Sequence, residues 1–495
     1  MYNDHSFADI DDLLLKTQNA FTTYKNSPIK LRADFMRQIA QNLALAQNEL
    51  IAAAKAETNL SETRLQAELK RTQFQLNSYA DALERGDWLE ARIDTADWER
   101  KPPKPDLRKM RVALGPVLVF GAANFPFAYS TAGGDTACAL AAGCPVVVKA
   151  HPEHAHTSTL TAEAIQKAAA QLQLPEGIFG HVYGADFKVG EYLAKHPIIK
   201  AIGFTGSRSG GKAIFDTAQQ RPDPIPVFAE MSSVNPVFLL PDKLKNDFQA
   251  VSQQLKRSIT QDMGQFCTKP GLLIAQQGEE LDWFVKQLTT DMHQAIPQKM
   301  LNKPIAANYL SKMQTAMMQR HVDVLYQSGN IIKENDGMIA LAQIPARYFL
   351  SNPLLSEEVF GPFSLIIVCK DKEELLLVAR KLNGQLTTTL IAEDEELNDY
   401  TDLISVLQEK CGRLVFNGVP TGVEVVLAMQ HGGPFPSTTD SRFGAVGADG
   451  IQRFTRPLTY QNWNDSLLPE ALKNKNSLNI WRCVNNEMTQ SDIKL

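Results

Sequence analysis

The segment Asp262-Met-Gly-Gln-Phe-Cys267-Thr-Lys-Pro270 carries the side chain best suited to covalent chemistry. Gly-Gln-Phe leads into Cys267 and Thr-Lys-Pro follows it, which predicts a turn where a substrate can reach the thiol. A thiolate is the strongest nucleophile among ordinary side chains. A lone cysteine is also a common small buried hydrophobe, so Cys267 needs partners before it counts as a nucleophile. Two candidates stand at the ends of apolar runs. Asn124 follows Val117–Phe120 and offers an uncharged donor to an oxyanion, although Asn before Phe-Pro is also ordinary turn chemistry. Glu230 ends the run Val227–Ala229, either as a solvated strand end or as a partly buried base with a raised pKa.

A second set suits a phosphate-bearing ligand. Phe204-Thr-Gly-Ser-Arg-Ser-Gly-Gly211 joins an apolar run to a helical pattern, and its glycines let backbone N–H groups approach a phosphate at a helix start. The spacing Gly206, Gly210, Gly211 is not G-x-G-x-x-G, and many such turns carry glycine for packing alone. Lys149 ends the run Pro145–Val148, and a cation there suits ribose hydroxyls or phosphates. His151, His154 and His156 match no standard zinc spacing, so no metal is expected; they read as loop residues near a cofactor.

The elements that must hold these side chains follow from pattern. Residues 8–90 read as packing helices, and no chemistry is assigned to them. From 115 to 240 strand, turn and helix alternate, with strands at Val117–Phe120, 145–149, Ile178–Tyr183, Ile199–Phe204 and Val227–Ala229. Such alternation predicts a parallel, helix-covered sheet with ligands at the carboxyl ends of its strands. The stretch 233–435 alternates again, which predicts a second α/β unit. Prolines 102, 103 and 105 forbid helix near 99–106 and suggest a linker or protruding hairpin. A late apolar strand is expected at Leu478–Trp481.

Composition bounds the rest. The chain has 495 residues, 44% hydrophobic and 21% charged, which is ordinary for a globular protein of several domains. A formal net charge of −5 implies no basic face, so no nucleic-acid partner is expected. Six scattered cysteines argue against a disulfide framework, and no apolar run is long enough for a membrane span. The N-terminus lacks a signal-peptide pattern, so the expected compartment is the cytoplasm.

Taken in order, Gly115-Pro-Val-Leu-Val-Phe-Gly-Ala-Ala-Asn-Phe-Pro126, Val146-Val-Val-Lys149, Gly203-Phe-Thr-Gly-Ser207, Glu230 through Pro236, Gly264-Gln-Phe-Cys267 and Glu357-Glu-Val-Phe-Gly-Pro362 resemble the NAD(P)-dependent aldehyde dehydrogenase superfamily. The resemblance implies two Rossmann-like parallel-sheet α/β domains and a small β oligomerisation arm. Its boundaries would be 1–97 with 115–232 for the cofactor, 233–437 for catalysis, and 98–114 with 455–495 for the arm and tail. It implies Cys267 as nucleophile, Glu230 as general base and Asn124 as oxyanion donor beside the Cys267 N–H. It implies Lys149 and Glu358 at the two riboses, Ser207 with Gly206 in the pyrophosphate turn, and Phe360 near the nicotinamide. A homodimer or homotetramer follows from the arm.

Asn417 through Val425, His431 through Gly444 and Arg453 through Leu458 resemble the α-ketoglutaric semialdehyde (2,5-dioxovalerate) dehydrogenase branch. That resemblance implies oxidation of 2,5-dioxovalerate to 2-oxoglutarate in sugar-acid or pentose catabolism; a related branch takes long-chain aldehydes. Rival readings are a CoA-acylating enzyme of the same fold and a cysteine hydrolase without a redox cofactor. Such a hydrolase needs a histidine beside Cys267, and the next one along the chain is His293. Two departures from the family pattern matter. Pro152 stands where many members carry the glutamate that chelates the adenine ribose, so a 2′-phosphate is not repelled and NADP is slightly favoured over NAD. Glu230-Met-Ser-Ser replaces Glu-Leu-Gly-Gly, so Ser232 would be strained if that position needs a positive φ. A semialdehyde of a 2-oxo acid wants a cation near its carboxylate, and Arg71, Arg442 and Arg453 are available.

Overall fold

The computed structural model describes residues 3–329 and 335–494. Four helices come first: α1 (Phe7–Tyr24), α2 (Ile29–Leu45), α3 (Gln47–Thr58) and α4 (Glu62–Arg85). α1 starts on a reciprocal cap in which Ser6 Oγ accepts from Asp9 N and the Asp9 carboxylate accepts from Ser6 N. α4 starts on Ser61 and stops at Gly86, whose φ of 76° is the left-handed conformation that glycine adopts without strain.

The chain continues through β1 (Arg92–Asp94), β2 (Leu107–Ala113), β3 (Val117–Phe120), α5 (Gly134–Ala142), β4 (Val146–Lys149), α6 (Ala155–Gln171), β5 (Phe179–Val182), α7 (Phe187–Lys195), β6 (Ala201–Thr205), α8 (Arg208–Gln219) and β7 (Val227–Glu230). Strands β3 to β7 form a parallel sheet in the order β5-β4-β3-β6-β7. Continuous apolar runs suit it because both faces are covered. Val117, Val119, Val146 and Val148 pack into a core shared with α2, α4, α5 and α6. Leu118, Val147 and Ile202 pack into the opposite core, shared with α1 and α7. The chain runs from β3 outward to β5, then returns to β6 on the other side of β3. The resulting crevice at the carboxyl ends of β3 and β6 is a topological switch point, the usual ligand site of such a sheet.

A second sheet contains β8 (Val237–Leu239), β9 (Leu272–Gln276), β10 (Asp323–Gln327), β11 (Ala340–Pro345), β12 (Phe363–Cys369), β13 (Gln385–Ile391) and β14 (Cys411–Phe416). Its order is β10-β11-β12-β9-β8-β13-β14, parallel except for the β10–β11 edge. The third sheet joins β1 and β2 to β15 (Thr455–Gln461), β16 (Arg482–Val484) and β17 (Glu487–Thr489) in the order β15-β2-β1-β16-β17. β1, within the 1–97 span read from sequence as part of the cofactor unit, pairs in this third sheet.

Two α/β sheets and a small β sheet match the expected fold class. One local expectation fails. Leu478–Trp481 is not a strand: Asn476 Nδ2 donates to Ile480 O at 2.8 Å and turns the chain, burying Ile480 against Gly86. The extended residues are Arg482–Val484 instead. Among the described residues no helix is long and apolar enough to cross a membrane.

Candidate active site

Cys267 lies in a turn, as expected, and four contacts hold that turn in place. Asp262, Met263 and Gly264 take φ values of 45°, 55° and 63°, which reverses the chain just before the thiol. A Cβ on Gly264 would lie 2.6 Å from the Gly361 carbonyl, so only glycine lets the Phe360-Gly361 segment back this loop. Asn124 Nδ2 donates to Gln265 O at 3.0 Å. Asn235 Nδ2 donates to Cys267 O at 2.8 Å and Lys269 O at 3.1 Å. Asn124 and Cys267, 143 positions apart by number, are therefore held at one place.

Glu230 is buried at 4% exposure, at the end of β7, where it bridges to Thr438. The feared strain at Ser232 is absent: the positive φ falls on Asn235 at 45°, and Ser232 Oγ accepts from Arg208 N at 3.3 Å. Between Glu230 and Cys267 stands His431, exposed by only 2%. Its Nε2 is 3.1 Å from Glu230 Oε1 and 3.6 Å from Cys267 Sγ. Among the described residues these three form the one group with metal-ligand spacing, their ligand atoms lying within 4.8 Å of one another.

This packing sets the protonation of the site. Burial and the neighbouring Glu230 push the Cys267 thiol well above its ordinary range, with Arg71 opposing them. Burial pushes the Glu230 carboxyl up as well, but His431, Cys267 and Arg453 together outweigh it and hold Glu230 below the usual carboxylate range. Glu230 is thus neither a solvated strand end nor a base with a raised pKa, because the imidazole contact stabilises its charge. Burial also brings Lys269, two residues after Cys267, down to about 8 while its Nζ donates to Phe363 O at 2.6 Å.

The switch-point crevice fits a dinucleotide. Ser207 caps α8, with its Oγ accepting from Gly210 N at 3.2 Å, while Arg208 N donates to Ser232 Oγ, so the helix starts at the carboxyl end of β6 on a fixed turn. Cβ atoms on Gly206 and Gly210 would come within 2.9 and 3.1 Å of the Phe204 ring, which keeps this turn bare backbone. Lys149 sits half-buried at the end of β4, its ammonium pushed down by burial and supported by Asp4 and Asp186. Pro152 opens the short turn Pro152–His154 beyond it. His154 Nε2 bonds to Ala122 O at 3.0 Å and stacks on His151 at 5.2 Å, so these histidines build the crevice wall. From the loop before β12 comes Glu358, whose carboxyl burial pushes up while a bond to Ser232 and the Lys269 charge oppose it.

Two features escaped the sequence reading. His431 was noticed only inside a motif, and no spacing rule links it to Cys267 across 164 residues. Helix α4, read as packing apart from the candidate cation Arg71, also supplies Glu68 and Arg64. The fully buried Glu68 carboxylate accepts from Phe127 N and Ala128 N at 2.9 Å each, and from Arg64 Nη1 at 2.6 Å. It thereby anchors the loop that carries Asn124. A charged residue on the apolar stripe between Leu65 and Leu69 was the available signal.

The Aldehyde dehydrogenase family model matches residues 2–459. An α-ketoglutaric semialdehyde dehydrogenase of Acinetobacter baylyi is 44% identical over 99% of this chain and 93% of its own length. A second protein of that name, from Azospirillum brasilense, is 44% identical over 96% of this chain and 91% of its own. A 1-pyrroline-5-carboxylate dehydrogenase from Thermus, crystallised with bound NAD, superposes with a TM-score of 0.78 at 20% identity, over 93% of this chain and 86% of that one. Members of the family use NAD or NADP. Sequence, fold and the half-buried thiol thus agree that this chain belongs to the aldehyde dehydrogenase family and is an NAD(P)-dependent oxidoreductase.

Proposed function

We propose that Cys267 attacks the carbonyl of 2,5-dioxovalerate and that the product is 2-oxoglutarate. The convergence of Cys267, His431 and Glu230 within 4.8 Å carries this reading, with Asn124 tied to the same loop. The two relatives at 44% identity support the substrate. The thiol proton passes to the His431–Glu230 pair as sulfur bonds to the aldehyde carbon and the C=O electrons move onto oxygen. That oxygen is stabilised by the second N–H of Asn124 Nδ2 and by the Cys267 backbone N–H. A bound nicotinamide would supply the hydride acceptor, and loss of hydride from the thiohemiacetal leaves Cys267 as a thioester. Glu230, its charge stabilised by His431, then takes a proton from the water that hydrolyses the thioester.

In the same reading Lys149 and Glu358 hold the two riboses, Ser207 and Gly206 the pyrophosphate, and Phe360 packs near the nicotinamide. Pro152 removes one repulsion of a 2′-phosphate, while Asp4 and Asp186 restore negative charge beside Lys149; both NADP and NAD are accepted. The units are 1–97 with 115–232 for cofactor and 233–437 for catalysis. The arm, 98–114 with 455–495, recruits β1 and builds a homodimer or homotetramer. Six unpaired cysteines suit a cytoplasmic protein.

The deciding experiment compares kcat/KM for 2,5-dioxovalerate, succinate semialdehyde and a fatty aldehyde with NAD and with NADP. Preference for the fatty aldehyde overturns the substrate assignment. His431 beside Cys267 is also the arrangement a thiol hydrolase uses, so turnover that persists without nucleotide overturns the redox reading. Acyl-CoA exceeding free acid when CoA is supplied overturns hydrolysis by water.

A further inference from the structure

We propose that Arg71, together with the Tyr129 hydroxyl, binds the carboxylate at the far end of the substrate. This rests on the semialdehyde reading above and names the residues that recognise its charge.

Arg71 lies on α4, and its Nη2 donates to Tyr129 Oη at 3.2 Å and to Val423 O at 3.4 Å. Its guanidinium carbon is 5.2 Å from the centre of the Tyr129 ring. The other terminal nitrogen, Nη1, is buried and has no hydrogen-bond partner among the described residues. A guanidinium has five N–H donors and cannot shed its charge, so a buried, unpartnered edge calls for an anion. Of the two terminal nitrogens of that planar fork only Nη1 is uncommitted, so one carboxylate oxygen accepts there while the other accepts from the Tyr129 hydroxyl.

The position is right for the substrate. The Tyr129 ring lies 5.9 Å from that of His431 and 5.1 Å from that of Phe125. Phe125 in turn lies 5.7 Å from Phe266, the residue before Cys267. A short carbon chain bound to Cys267 would run along these rings, with its far end toward Arg71. Burial pushes the Tyr129 phenol up, so it stays protonated; while its oxygen accepts from Arg71, its own hydrogen is free for the substrate.

The other cations are committed. Arg453 pairs with the buried Asp135 at 2.7 Å. Arg442 is largely in solvent and pairs with Asp440. Arg64 pairs with Glu68 and Asp262. Both terminal nitrogens of Arg413 donate to the carbonyls of Gly422 and Pro420, leaving only its Nε unpaired. Glu68, one turn before Arg71, spends its oxygens on Arg64 and the Asn124 loop. Of the three arginines picked out in the sequence, only Arg71 has a buried terminal nitrogen without a partner among the described residues.

The test is the ratio of kcat/KM for 2,5-dioxovalerate to that for pentanal, which has the same carbon count and no charge. Arg71→Met should lower this ratio about 10- to 100-fold through KM, the range for losing a hydrogen bond to a charged group. Arg71→Lys should lower it less, because charge persists without the fork. Tyr129→Phe should lower it a few-fold, and decides the matter if Arg71→Met does not fold. Ratios within threefold of wild type in these variants overturn the proposal. A wild-type enzyme with no preference for the acid overturns the semialdehyde reading itself.

Discussion

In the proposed mechanism Asn124 has two separable duties, and one substitution distinguishes them. Its Nδ2 carries two hydrogens, one of which is held on Gln265 O at 3.0 Å. The second is the proposed oxyanion donor. Asn124→Ala removes both. Loss of an oxyanion-hole donor slows chemistry about 10²- to 10³-fold, or about 2.7–4 kcal/mol of barrier. Loss of the loop bond costs about 1 kcal/mol, worth roughly fivefold if it falls wholly on the placement of Cys267. Stopped-flow measurement of the first turnover of reduced nucleotide reports both effects together. Alkylation of Cys267 by iodoacetamide develops no oxyanion and reports the loop alone. The first turnover should slow by at least about 10²-fold, with alkylation within roughly fivefold of wild type. A first turnover within tenfold of wild type refutes the oxyanion role. Alkylation that falls as far as turnover shows that Asn124 only holds the loop.

Glu230→Gln should keep the first-turnover burst, since His431 remains to take the thiol proton, and should slow steady turnover about 10²- to 10⁴-fold; equal loss of both phases argues against a deacylation base. Burial and Glu230 hold the proton on Cys267, so in free enzyme the alkylation rate should still be rising at pH 9, and Glu230→Gln should move the profile to lower pH. A wild-type plateau below pH 8 contradicts this. Arg453→Met leaves Asp135 buried without its 2.7 Å partner, which costs about 3–5 kcal/mol. The thermal midpoint should fall, and adding Asp135→Asn should recover much of the loss; a double variant no better than the single removes the ion pair as the cause.

Much of this protein is legible in the chain. β3 and β4 are continuous apolar runs because a parallel sheet is buried on both faces, and the polar residues Asn124, in the loop after β3, and Lys149, at the end of β4, lie on the carboxyl side of the sheet. Cys267 is recognisable because Gly264 and Pro270 bracket it within a turn. Such features are local: strand period, turn chemistry and end position all operate within about ten residues. His431, Glu68 and Arg71 are different. Each acts through a partner brought near by the packing of separate elements: Cys267 for His431, the 127–128 backbone for Glu68, and Tyr129 for Arg71. No periodicity encodes a contact across 164 or 58 residues. The protonation of Glu230 belongs to the same class. Its residue type offers a base, but whether burial raises it or an imidazole lowers it depends on what the fold sets 3.1 Å away. Sequence determined which side chains could react; tertiary packing decided their charges and neighbours, because desolvation and Coulomb forces depend on distance through space rather than along the chain.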